Sequence, residues 1–170
     1  MWLFARKKAG NIAKKKKGLS SLEFVISILI FMLLFAAFID IVVIGVKFGA
    51  STQAVQHVTR IVGVQGGMLS SAPTGYPGGA TSYNTGSQVD NQVTNMLSKA
   101  GIKEGDYSIK VGGSPITSGV AYDYMDDIDV TMRVNYKWEM LSMMLPGEFD
   151  FYLTNNRSTV SEFRYRYDSW

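Results

Sequence analysis

Glu23 is the side chain in this sequence most in need of a chemical partner. It stands five residues after Gly18, which closes the basic run Lys14, Lys15, Lys16 and Lys17, and it is followed at once by an apolar stretch beginning at Phe24. An ionised side chain buried in lipid costs roughly several kcal/mol, so a carboxylate there points to function and requires a named partner. A new N-terminus would supply one. A peptidase cut after Gly18 makes Leu19 residue one and Glu23 residue five. The freed α-amine can then pair with the Glu23 carboxylate of a neighbouring helix, offsetting desolvation and setting axial register between subunits. The alternative is an interfacial carboxylate held near water beside the lysines, where negative charge also suits the N-terminal end of a helix dipole.

Elsewhere the residue types that perform catalysis or hold metals are sparse. The absence of cysteine removes disulfides, thiol nucleophiles, Cys-ligated zinc and a lipoprotein anchor. His57 is the only histidine, and its neighbours Gln56, Thr59 and Arg60 place it on a solvated helix face, which excludes histidine triads and multi-histidine metal sites. No glycine loop has the spacing of a phosphate cradle. Asp123, Asp126, Asp127 and Asp129 lack the spacing and the glycine of a calcium-binding EF-hand loop, and read as a charged loop leading into a strand. The expectation is a protein that is not an enzyme and uses no cofactor or metal.

Charge is partitioned along the chain. Seven of the 17 basic residues precede Gly18, and no acidic residue precedes Glu23. Beyond Gly18, ten basic side chains face fourteen acidic ones, a net of −4. Nucleic-acid binding needs basic residues spread over a folded face and mixed with aromatics, whereas these lie beside an apolar run, so no nucleic-acid partner is expected.

That run, Phe24 to Val46, departs from large apolar side chains, Ala or Met only at Ser27, Asp40 and Gly45. It amounts to about 35 Å of helix against a hydrocarbon core of about 30 Å. Seventeen of its residues are Leu, Ile, Phe or Val, each favouring insertion by roughly 0.3 to 0.6 kcal/mol, whereas Asp40 opposes it by at most about 3.5 kcal/mol. Insertion into a lipid bilayer wins. The lysines flank the N-terminal end, so the positive-inside rule puts residues 1–18 in the cytoplasm as a basic leader and the C-terminal part outside, in a single-pass protein of the cytoplasmic membrane. A cleavable secretory signal is disfavoured, because Phe48 occupies the −3 position of the only suitable Ala50 site. Asp40, near the outer end, reads as a headgroup-level carboxylate or as a contact to a neighbouring subunit.

Ala50, Ala54, Val58 and Ile61 continue the helix beyond the membrane at helical spacing, and Gly66 and Gly67 stop it. Residues 19–66 therefore form one long helix whose outer third is amphipathic and needs a partner.

Over Lys14 to Val46 the sequence resembles the type IV pilin superfamily, whose prepilin peptidase cuts after a Gly preceded by basic residues, leaving Glu at the fifth mature position. With Glu23 followed by Phe24, and Leu19 first in the mature chain, it looks most like the tight-adherence (Tad) pseudopilins of the TadE type. Leu19 stands where other type IV pilins commonly carry Phe, and Ser20 and Ser21 depart from their more apolar start. The resemblance implies a pilin-like α+β fold and a minor structural subunit processed at Gly18 and Leu19, with Glu23 as its assembly residue. It also implies as partners the prepilin peptidase, other pilin or pseudopilin subunits and a pilus assembly platform. The rival reading is an unprocessed, single-pass component of a secretion or conjugation complex.

The outer part is expected to be a small antiparallel sheet of three or four strands packed on one short helix. Residues 67–88, rich in Gly, Ser, Thr, Pro and Tyr, read as an exposed, mobile loop, leaving 89–170 as an extracytoplasmic α+β domain. Val89, Val93, Met96, Leu97 and Ala100 mark the helix, with Asp90 in its first turn and Gly101 closing it. Tyr107 to Val111 is a short strand, and Ile128 to Trp138 a strong one, its apolar residues alternating with Asp129, Thr131, Arg133, Asn135 and Lys137. Phe149, Phe151 and Leu153 alternate likewise, Asn155 and Asn156 offer a turn, and Val160 to Tyr167 resumes as a strand. Met140 to Pro146 reads as core filler or as an adaptable surface for another subunit.

Overall fold

The computed structural model describes residues 2–147 and 149–163, with side chains from residue 21 onward. In chain order the elements are α1 (Trp2–Gln65), β1 (Gly67–Met68), α2 (Gly86–Lys99), β2 (Tyr107–Val111), β3 (Ser114–Pro115), β4 (Val120–Ala121), β5 (Asp127–Lys137), α3 (Glu139–Met144) and β6 (Asp150–Val160). The chain divides into two compact units, one made of Met1–Ile41 with Trp138–Glu148 and the other of Val42–Lys137 with Phe149–Trp170. The class is α+β, a long apolar N-terminal helix followed by a small antiparallel sheet.

In the larger unit the outer part of α1 finds the partner its amphipathic pattern requires. Ala54, Val55, Val58 and Val62 are fully buried, in one cluster with Val89, Val93 and Leu97 of α2, Ile109 and Val111 of β2, and Ile128, Val130, Met132, Val134 and Tyr136 of β5. The four-stranded sheet runs β3-β2-β5-β6, antiparallel throughout, and β1 pairs with β4 in a two-stranded ribbon. The alternation of β5 is realised along its whole length, with the even-numbered residues from Ile128 to Tyr136 inward. A one-residue slip would turn this set outward, so burial of one face fixes the register. Trp138 does not extend the strand; it precedes α3.

The end of α1 falls where the glycines require it. Gly66 takes φ +66°, a left-handed conformation that a side chain resists, and its N–H returns to the Gly63 carbonyl at 3.4 Å. A Cβ on Gly67 would stand 2.4 Å from the Val120 carbonyl oxygen, so the β1–β4 pairing needs glycine there.

Two expectations fail, and a third gains detail. The 67–88 loop is mostly exposed from residue 70 to 82, and its ends are tied together: the Tyr83 hydroxyl accepts a bond from Leu69 N–H at 2.8 Å, and the Gln65 amide donates to the Asn84 carbonyl at 3.0 Å while accepting from Asn84 N–H at 3.2 Å. Tyr83 is buried and meets Tyr76 edge to face at 5.0 Å between ring centres. The loop also ends early, because α2 begins at Gly86 behind a capping box in which Thr85 accepts from Gln88 N–H and Gln88 accepts from Thr85 N–H. Asp90 consequently lies beyond the first turn. Finally, Asn155 and Asn156 make no turn; they sit within β6, opposite Met132 and Thr131. The strand ends at Val160, and 164–167 lie outside the described residues.

A buried polar group joins α1 to the sheet. Ser51 is fully buried, and its hydroxyl donates to the Phe48 carbonyl at 2.8 Å. That leaves its two lone pairs as acceptors, one for Asn155 Nδ2 at 2.9 Å and one for the Tyr136 hydroxyl at 3.0 Å. Burial raises the Tyr136 phenol above its ordinary value of 10.0. Burial raises Tyr107 and Tyr122 as well. The unfolded chain gives up these protons first, so their contribution to stability is complete below about pH 10 and is lost as pH climbs through the raised folded values. Chemical denaturation of the detergent-solubilised chain should therefore show stability falling above about pH 10, with a shallower fall in Tyr136→Phe. A fall of equal slope in the variant would remove Tyr136 from the account.

Candidate functional site

Two carboxylates lie in the apolar stretch of α1, and the chain treats them oppositely. Glu23 is exposed, and so are its neighbours Leu22, Phe24, Val25 and Ile26, each at least half accessible. Its own backbone carbonyl accepts the Ser27 hydroxyl at 2.8 Å, which satisfies Ser27 within the helix and leaves that hydroxyl turned to its own backbone. The exposed series continues through Phe31, Leu34, Phe35, Phe38, Ile41 and Val42. The 45 described residues Ser21–Gln65 contain the one segment among the described residues that is long and apolar enough to cross a membrane.

Asp40 is 2% exposed. Its Oδ1 accepts from Met140 N–H at 3.0 Å and its Oδ2 from Leu141 N–H at 2.8 Å. These are donors of the first turn of α3, whose N-cap residue Trp138 makes no side-chain capping bond. A helix start leaves its first N–H groups without intrahelical acceptors, and a carboxylate there also complements the helix dipole. Asp40 thus caps α3 from a hundred residues away. The sequence offers a headgroup-level carboxylate or a contact to a neighbouring subunit. The structure gives Asp40 a partner in its own chain instead of another subunit and leaves its place near the outer end of the apolar stretch unchanged. Ala36, one turn before it, is also buried.

α3 buries none of its residues, which corrects the reading of Met140 to Pro146 as core filler. Met140, Met143, Met144 and Leu145 are all exposed.

Gly18, Leu19 and Lys14 to Lys17 lie within the helical span of α1, and their side chains are outside those described. His57 is half-buried on α1, and its Nε2 lies 2.8 Å from Gln92 Oε1 of α2 in an exposed hydrogen bond. Asp126 turns inward to its own loop, with Oδ2 accepting from Asp123 N–H at 3.0 Å. Among the described residues no group of three or more His, Cys, Asp or Glu side chains is placed to hold a metal ion. No family model, curated protein or solved structure matches the chain.

Removing the Asp40 carboxylate leaves two amide N–H groups of α3 without acceptors, a loss of about 1 to 3 kcal/mol for such groups. Asp40→Ala should accelerate hydrogen exchange at Met140 and Leu141 about tenfold or more, with the amides of β5 unchanged. Unaltered exchange at both sites would show that the cap carries no weight.

Proposed function

We propose that the chain is a prepilin-like structural subunit of a Tad-type or related type IV pilus, cut after Gly18 by a prepilin peptidase and anchored by α1 in the cytoplasmic membrane until it is drawn into the polymer. The observation that carries this reading is the state of Glu23, a carboxylate exposed among large apolar side chains that nothing among the described residues covers. Lipid can cover the apolar surface, but it offers the carboxylate no partner. The α-amine of a processed Leu19 on a neighbouring helix does offer one, and the pairing defines which subunit sits beside which.

On this reading the lysine block holds the N-terminus in the cytoplasm, the larger unit is displayed outside, and extraction by an assembly platform exchanges lipid contacts for contacts with other subunits. The work is packing and register, with no bond made or broken by this chain. The alternative, an unprocessed anchor in a secretion or conjugation complex, keeps the membrane helix but gives Glu23 no task beyond its interfacial position.

Glu23→Ala separates the two. The variant should insert into the membrane and fold as the parent does, yet fall out of assembled filaments by an order of magnitude or more, as read by immunoblot of sheared filaments against membranes. Normal incorporation of an inserted Glu23→Ala would contradict the proposal.

A further inference from the structure

The Asp40 cap fixes where α3 stands along the apolar helix. From Glu23 to Asp40 is about 26 Å at roughly 1.5 Å per residue, against a hydrocarbon core of about 30 Å. With Glu23 a few ångströms inside the inner boundary, Asp40 lies close to the outer one. α3 is held at that level by two hydrogen bonds that its backbone N–H groups donate to the Asp40 carboxylate.

Its composition suits that depth. Met140, Met143 and Met144 fall at i, i+3 and i+4 and so share a face; they are 43%, 81% and 41% exposed, and Leu145 follows at 36%. Glu139 is the one charged residue in the element. Trp138 precedes the helix, and tryptophan is enriched at membrane–water interfaces. Thioether side chains, unbranched and with three rotatable bonds, adapt to an irregular apolar surrounding such as acyl chains. The cap also removes the main cost of this location, since the carboxylate and the first N–H groups of α3 satisfy one another instead of entering lipid unpaired.

We infer that α3 is a second membrane contact, a short interfacial helix whose Met140, Met143 and Met144 face enters the outer leaflet at the boundary between headgroups and acyl chains. The spanning helix and α3 then form one lipid-covered surface, pinned together by Asp40. This rests on the membrane anchoring of α1 proposed above and is independent of processing at Gly18.

The chain has no cysteine, so Met143→Cys gives a single attachment point for an environment-sensitive fluorophore at a site exposed enough to tolerate it. Asp127→Cys, on the exposed start of β5, serves as the water reference. The full-length labelled chains are reconstituted into phosphatidylcholine vesicles carrying a nitroxide either near the headgroup or deep in the acyl chain. The label at 143 should emit at shorter wavelength and be quenched several-fold more strongly by the shallow nitroxide than the label at 127. Adding Asp40→Ala should reduce that quenching. Equal quenching at 143 and 127 in vesicle-bound protein overturns the inference while leaving the anchor intact. A shift at 143 that grows with protein density, without nitroxide quenching, also overturns it and assigns the face to a second copy of the chain. Failure to co-float with vesicles contradicts the anchor itself, and the inference with it, whereas loss of peptidase processing would touch neither result.

Discussion

A carboxylate in apolar surroundings has to be neutralised, hydrogen-bonded or paired, and this requirement organises the molecule. Asp40 and Glu23 lie on the same helix, seventeen residues apart, and meet it by different routes. Asp40 takes two amide donors from α3, so its needs are met once the chain has folded. Glu23 has large exposed apolar side chains around it and no cover among the described residues. One carboxylate is part of the fold. The other is left for something outside it, and the functional reading follows from that difference.

α1 serves two environments in succession, and the residues change accordingly. From Ser21 to Ile41 its large side chains are mostly exposed, with Ala36 and Asp40 the buried exceptions. From Ser51 onward the helix becomes a core element, with Ala54, Val55, Val58 and Val62 packed into the sheet and α2. The small residues there let neighbouring elements approach: a Cβ on Gly63 would come within 2.7 Å of Thr159 Oγ1. Ser51 provides the polar counterpart, linking the helix to β5 through Tyr136 and to β6 through Asn155. On the proposed reading, a subunit drawn from lipid into a polymer needs an outer part that keeps its shape while the inner helix changes surroundings, and packing of this kind supplies it.

The strand β5 was readable from sequence because one of its faces is buried along its whole length, so alternation and burial coincide. The core positions of α2 and the glycine stop of α1 were readable for similarly local reasons. The start of α2 was missed although Thr85 and Gln88 have the spacing of a capping box, because the surrounding polar composition reads as loop. Asn155 and Asn156 have turn propensity, but pairing with β5 over eleven residues overrides it, and Asn155 spends its amide on Ser51. The partner of Asp40 was not legible, since it is a pair of backbone amides a hundred residues away. Its one trace in the sequence is that Trp138 is a poor cap for the helix it precedes. Of the candidate site, Glu23 could be singled out from the sequence, and its exposed state is what the structure adds.

The central claim is that Gly18 and Leu19 flank a bond that is cut to give Glu23 its partner. The most direct measurement is the N-terminal sequence and intact mass of the protein from native membranes, with and without the prepilin peptidase. The account predicts a chain beginning at Leu19 when the peptidase is present and at Met1 when it is absent. A chain beginning at Met1 in both would contradict it and leave an anchored protein whose Glu23 answers to no new N-terminus.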